Sequence, residues 1–161
     1  MFTEHHPTLA RLLDDIRPKT ILVVDPHAEP LPSAAGTEGA RITHVRADPM
    51  SAVEGLERFD FGVVANTLER LDAKAAGALL AGLRDLHSGR FVALAPIGAG
   101  WQGMASVWEE NDLLAFGMTL MARYQVAQGP LALYHFNLAD YKTTPDWLNS
   151  RYWAHPERWE P

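Results

Sequence analysis

The 161-residue chain contains no cysteine, which excludes disulfides, thiolate metal ligands and a cysteine nucleophile. Positive charge is scarce: 14 Lys and Arg stand against 20 Asp and Glu, for a formal net charge of -6. Nowhere do the basic residues gather into the patch that a phosphate backbone demands, so nucleic acid is not an expected partner. Long apolar runs are missing as well. Stretches such as 113–116 and 91–95 fall far short of the roughly 20 residues that cross a bilayer, and no membrane association is expected. Residues 1–7 carry acidic and imidazole groups where an export signal has basic residues followed by an apolar stretch. Together with the missing thiols, this gives the expectation of a cytoplasmic protein.

What is present suits one packed domain, since 47% of the residues are hydrophobic and the length is about that of a single core. In residues 8–16, Leu9, Leu12, Leu13 and Ile16 recur at helical spacing, and Pro18 ends the helix. Residues 21–24 are a short β-branched and aliphatic run of the kind found in strands covered on both faces. Residues 27–41 are broken by prolines and glycines and read as irregular. A second strand is predicted at 42–46, a short helix near 50–57 with Met50, Val53 and Leu56 inward, and a third strand at 61–65. Asp72 is placed to cap a helix running to about His87, with Ala76, Leu79, Leu80, Leu83 and Leu86 as its apolar face and Gly89 as its stop. Residues 91–95 make a fourth strand.

Strands alternating with helices or short crossovers predict an α/β fold with a mostly parallel, Rossmann-like sheet and helices on both faces. After a helix around 108–116, strands at 119–126 and 131–138 are separated by Gln128, Gly129 and Pro130, so they must form an antiparallel hairpin. The domain is read as 1–138. Residues 139–161 form a Trp-rich extension in which Trp147, Tyr152, Trp153 and Trp159 are suited to pack on the domain or on a partner.

This order of elements resembles the class I S-adenosylmethionine-dependent methyltransferases, whose sheet ends in an antiparallel hairpin. The run Phe59-Asp60-Phe61-Gly62-Val63-Val64-Ala65-Asn66 with Leu68-Glu69-Arg70-Leu71 is similar to the segment around that family's fourth strand. Residues 86–94 are similar to the turn entering its fifth, and Phe116-Gly117-Met118 to its lead into the closing hairpin. The first strand departs from the pattern. Where the family has a glycine loop that lets the backbone approach the cofactor, this chain has Val24-Asp25-Pro26-His27-Ala28-Glu29. About one βα unit is also trimmed before the second strand. A receiver-domain resemblance of residues 21–25 fails because the third strand ends in Ala65-Asn66 and not in a phosphorylatable Asp.

Ligands of open α/β sheets bind beyond the C-terminal strand ends, so Asp25, His27, Asp48 and Asn66 are the candidate ligand-binding residues. Structural readings stand beside them: Asp25 precedes a proline turn, Asp48 starts a helix and Asn66 caps a loop. The histidines show no HxH, HxxxH or HExxH spacing, so no metal site is expected. His5 and His6 read as a solvated terminus. Ser88 and Ser106 lack the GxSxG context of a hydrolase, and no catalytic residue is assigned. The expected function is a non-catalytic, methyltransferase-like binding or scaffolding module without a cofactor, partnered by another protein or by a second copy of itself. The alternatives are a methyltransferase with an atypical S-adenosylmethionine pocket lined by Asp25, Asp48 and Asn66, and a binder of some other small molecule or nucleotide.

Overall fold

A computed structural model of the chain describes residues 2–27 and 30–141. Its elements run α1 (His6–Ile16), β1 (Thr20–Val24), β2 (Arg41–Val45), α2 (Pro49–Val53), β3 (Phe61–Val64), α3 (Ala73–Gly82), β4 (Arg90–Pro96), α4 (Glu110–Ala115), β5 (Thr119–Val126), β6 (Gly129–Asn137) and α5 (Leu138–Tyr141). The six strands form one sheet in the order β2-β1-β3-β4-β6-β5. The first four are parallel, and β6 runs antiparallel to both β4 and β5. The α/β reading and the closing hairpin are borne out. The trimming is visible too, because among the described residues no strand lies beyond β2.

Period-two alternation sends consecutive strand residues to opposite faces. Ile21 and Val23 join Leu9 and Leu13 of α1 on one side, with Phe61, Val63, Val92 and Leu94. Leu22 and Val24 face the other side, where Val53, Leu79, Leu80 and Leu113 from α2, α3 and α4 close the second core. Helices on both sheet faces follow directly from these buried four- and five-residue runs.

Two expectations need correction. Asp72 caps α3 as anticipated, accepting from the Ala75 N–H at 2.8 Å, but the α-helix stops at Gly82 and residues Leu83–His87 form a π turn. The wider turn lets the Ser88 N–H reach the Leu83 carbonyl at 2.7 Å. It rotates Leu86 out of the apolar face to 66% exposure, although 3.6-residue spacing places it inside. The helix expected over 108–116 is likewise shorter. Trp108 is bridged to Ile97 in extended conformation, and α4 begins only at Glu110, after a capping box between Glu109 and Asp112.

Candidate functional site

The chain leaves β1 toward β2 on one side and leaves β3 toward β4 on the other, so the topological switch point lies between the C-terminal ends of β1 and β3. Asp25 and Asn66 stand one and two residues beyond those ends. Both are buried. The Asn66 Nδ2 donates to Asp25 Oδ2 at 2.9 Å, and Asn66 Oδ1 accepts the backbone N–H of Phe2 at 2.7 Å. Asn66 holds a left-handed backbone, φ +52°, a conformation asparagine tolerates better than most residues. The Phe2 ring meets Trp101 edge-on at 5.4 Å. The N-terminal segment thus lies across the centre of the switch point, tied there by main-chain and side-chain bonds.

The other oxygen of Asp25, Oδ1, accepts the His27 N–H at 2.8 Å. With Pro26 lacking an N–H altogether, neither described residue after Asp25 offers a backbone donor to the crevice. The His27 side chain is exposed, its Nε2 3.5 Å from the Arg70 Nη2. Asp48 is not brought into this cluster. It caps α2 by accepting from the Ser51 N–H at 3.4 Å, with a left-handed φ of +41°.

Open space remains on each side of the closed centre. One cleft of about 300 Å³ lies against the ends of β1 and β2, walled by Val24, Pro26, Val45, Asp48, Arg70 and Leu71 among others. The second, about 430 Å³, is bounded by Phe2, His27, Asn66, Glu69, Arg70 and the 103–105 loop. Both fall within or near the size range of small-molecule pockets. The glycine-bearing loop after β4 is no free lid. Gly98 N–H donates to the Trp108 carbonyl at 2.8 Å and Ala105 N–H to the Glu69 carbonyl at 2.8 Å, while the Trp101 indole donates to the Pro130 carbonyl at 3.1 Å.

Three residues that sequence reasoning did not assign to the site also line or underlie it. His5, expected at a solvated terminus, is 3% exposed. Burial, with His6 adding to it, holds its imidazole down at about 4. Glu69 is buried, and one carboxyl oxygen, Oε2, has no hydrogen-bond partner. Burial pushes that carboxyl above the usual range, opposed by its own backbone N–H and by Arg70, with the Asp25 charge pushing it further up. Phe2 completes the set. The only visible signal for Glu69 was its place beside Arg70 between Leu68 and Leu71, just past the third strand.

His44 lies exposed on edge strand β2, and His135 takes a hydrogen bond from Arg90 Nε at 3.4 Å. Among the described residues no group of three His, Asp or Glu is placed to hold a metal ion, and no helix is long and apolar enough to cross a membrane. Trp147, Tyr152, Trp153 and Trp159 lie outside the described residues.

The fold is that of the class I methyltransferases. The N-methyltransferase NodS from Bradyrhizobium japonicum WM9, in complex with S-adenosylhomocysteine, superposes with a TM-score of 0.58 over 83% of this chain and 85% of that one, at 18% identity. Magnesium protoporphyrin IX methyltransferase (ChlM) from Synechocystis PCC 6803, with the same molecule bound, gives 0.56 over 81% and 82%, at 12% identity. The 1,6-didemethyltoxoflavin-N1-methyltransferase of Burkholderia thailandensis gives 0.52 over 83% and 79%, at 18% identity. No curated protein matches the sequence. The model of a family of unknown function, DUF6231, matches residues 3–161.

Proposed function

The chain belongs to the DUF6231 family, and we propose that it is a non-catalytic, methyltransferase-like binding module that does not take S-adenosylmethionine in the manner of its fold relatives. One observation carries this reading: the Asp25–Asn66–Phe2 bridge occupies the centre of the crevice in which such sheets place a ligand. A cofactor at a strand-end turn needs backbone N–H donors and room for close approach. Here the first position after Asp25 is Pro26 and the next N–H is turned back onto Asp25. The residues present do not fit the cofactor.

NodS and ChlM hold S-adenosylhomocysteine in their structures, so the rival is a methyltransferase whose pocket is lined by Asp25, Asp48 and Asn66. The rival requires Phe2 to leave Asn66, whereas Asp48 already lines the cleft at the ends of β1 and β2 while capping α2. Calorimetric titration of the full chain with S-adenosylmethionine and S-adenosylhomocysteine separates the two. The expected result is no saturable heat and no rise in melting temperature, since only a ligand that prefers the folded state raises it. Saturable binding with a dissociation constant in the micromolar range overturns the proposal. The two clefts flanking the bridge favour a small molecule of another kind as the occupant.

A further inference from the structure

Resting on that reading, we infer that the cleft at the ends of β1 and β2 takes a small molecule with an apolar body and an anionic head, carboxylate or phosphate, held between Arg46 and Arg70. Chain order brings the two arginines together. Because the sheet runs β2-β1-β3, the segments leaving β2 and β3 stand on either side of the end of β1. Arg46 is the first residue after β2, and Arg70 closes the Leu68–Arg70 turn that follows β3. Both line one cleft of about 300 Å³. A guanidinium offers several N–H donors in a fixed fork, the geometry that matches the oxygens of a carboxylate or phosphate.

Neither arginine is committed to a carboxylate. The ion pairs among the described residues join Arg41 to Glu57, Arg84 to Asp85 and Arg123 to Glu110, and among those residues the Arg46 side chain has no hydrogen bond. Arg70 acts on the Glu69 charge from beyond ion-pair distance. Its Nη2 lies 3.5 Å from His27 Nε2, which sets a third nitrogen base beside the pair. The acids nearby are occupied: Asp48, on the cleft wall, accepts the Ser51 N–H, and Asp25 accepts from the His27 N–H and from Asn66. Two cations to one acid make this wall positive in a chain whose net charge is -6. An entering anion gains charge-assisted bonds there, whereas a cation meets two like charges.

The rest of the cleft suits an apolar body behind that head. Val24 and Val45, both buried at strand ends, line it with Pro26, Pro49 and Leu71. The walls are tied to one another. Asp25 N–H donates to the Val45 carbonyl at 3.1 Å, holding β1 to β2, and Thr67 Oγ1 donates to the Val24 carbonyl at 3.0 Å, holding the segment after β3 to β1. A pre-formed wall spares the ligand much of the ordering cost of binding. The volume is at the small end of ligand pockets, which limits the body to one or two rings.

The test is an NMR titration of the full chain near neutral pH with benzoate and phenyl phosphate, alongside neutral benzyl alcohol, cationic benzylammonium, and the small anions acetate and inorganic phosphate. Saturable shifts at the amides of Val45, Arg46, Ala47, Thr67 and Leu71 are expected for at least one aromatic anion, and the tighter of the two identifies the head group. Benzyl alcohol and benzylammonium, and the aromatic anion on Arg46→Gln or Arg70→Gln protein, are expected to bind at least about tenfold more weakly, the effect of one charge-assisted bond. Both arginines are exposed, so these substitutions spare the core. Arg11→Gln, which removes an exposed cation from α1, is expected to leave the affinity unchanged. The inference is overturned by absence of saturation with either aromatic anion up to its solubility, or by equal binding of the alcohol or the amine. It is overturned as well by an aromatic anion binding no tighter than acetate or inorganic phosphate, by unchanged affinity in Arg46→Gln or Arg70→Gln, or by an equal loss in Arg11→Gln. S-adenosylmethionine is absent from these titrations, so their failure is separate from any failure of the cofactor prediction.

Discussion

Asn66 ties three segments at one point: the end of β3, the turn after β1 and the N-terminal stretch before α1. His5, buried in the same N-terminal stretch and close enough to feel the Asp25 charge, gives this corner a pH dependence whose sign follows from its burial. The folded imidazole sits at about 4 against an ordinary 6.5, so the unfolded chain binds a proton first as pH falls. The native state is then favoured least at low pH. The His5 contribution is intact above about pH 6.5 and is lost as pH drops toward 4, amounting to roughly 2 kcal/mol between pH 7 and pH 5. Urea unfolding of wild type and His5→Phe at both pH values checks this. The wild type is expected to lose about that much more than the variant; equal losses refute it. Asp25 and Asn66 were readable in the sequence as polar residues just past strand ends. His5, Phe2 and Glu69 were not, because their roles depend on Phe2 meeting Asn66 across 64 residues, a separation that no local pattern encodes.

At the level of elements, α1 and the irregular stretch after β1 are locked together at Gly36. A Cβ built there would come within 2.1 Å of the Leu13 carbonyl oxygen, and the Gly36 N–H donates to Asp14 Oδ1 at 2.8 Å. The backbone of the Ala35–Thr37 turn approaches α1 too closely for any side chain. Gly36→Ala is expected to destabilise by about 2–3 kcal/mol through overpacking, read as a lower urea midpoint at unchanged slope. A variant as stable as wild type would show that this contact yields without cost. The sequence indicated only that residues 27–41 are rich in breakers. In α3 the capping Asp72 and the inward leucines were legible, and the π turn was not. Periodicity assumes a constant turn, and only the fit of Ser88 to Leu83 and of Phe59 to His87 dictates the wider one.

For the whole molecule, the sheet separates two cores that share strands but, among the described residues, no side chain. Leu13 is fully buried under α1 on one face and Leu80 under α3 on the other. Leu13→Ala and Leu80→Ala are each expected to cost about 2–5 kcal/mol. Because the two belong to separate buried clusters with no member in common among the described residues, the double variant is expected to lose the sum within about 0.5 kcal/mol. Denaturant unfolding of the four proteins checks this, and a coupling beyond 1 kcal/mol would mean that the sheet transmits strain between its faces.

The α/β class, the strands and most helices, the hairpin and the loss of the glycine turn were already set by residue order. Each of these is a local matter of side-chain period, breaker residues and backbone donors, written within a few neighbouring positions. The tertiary structure alone decided that the N-terminal segment closes the switch point, that Asp48 leaves the Asp25–Asn66 cluster to cap α2, and that Glu69 is buried with an unmatched oxygen. These depend on which distant segments the sheet order brings together, and burial fixes the energy of a charge only after that packing is complete.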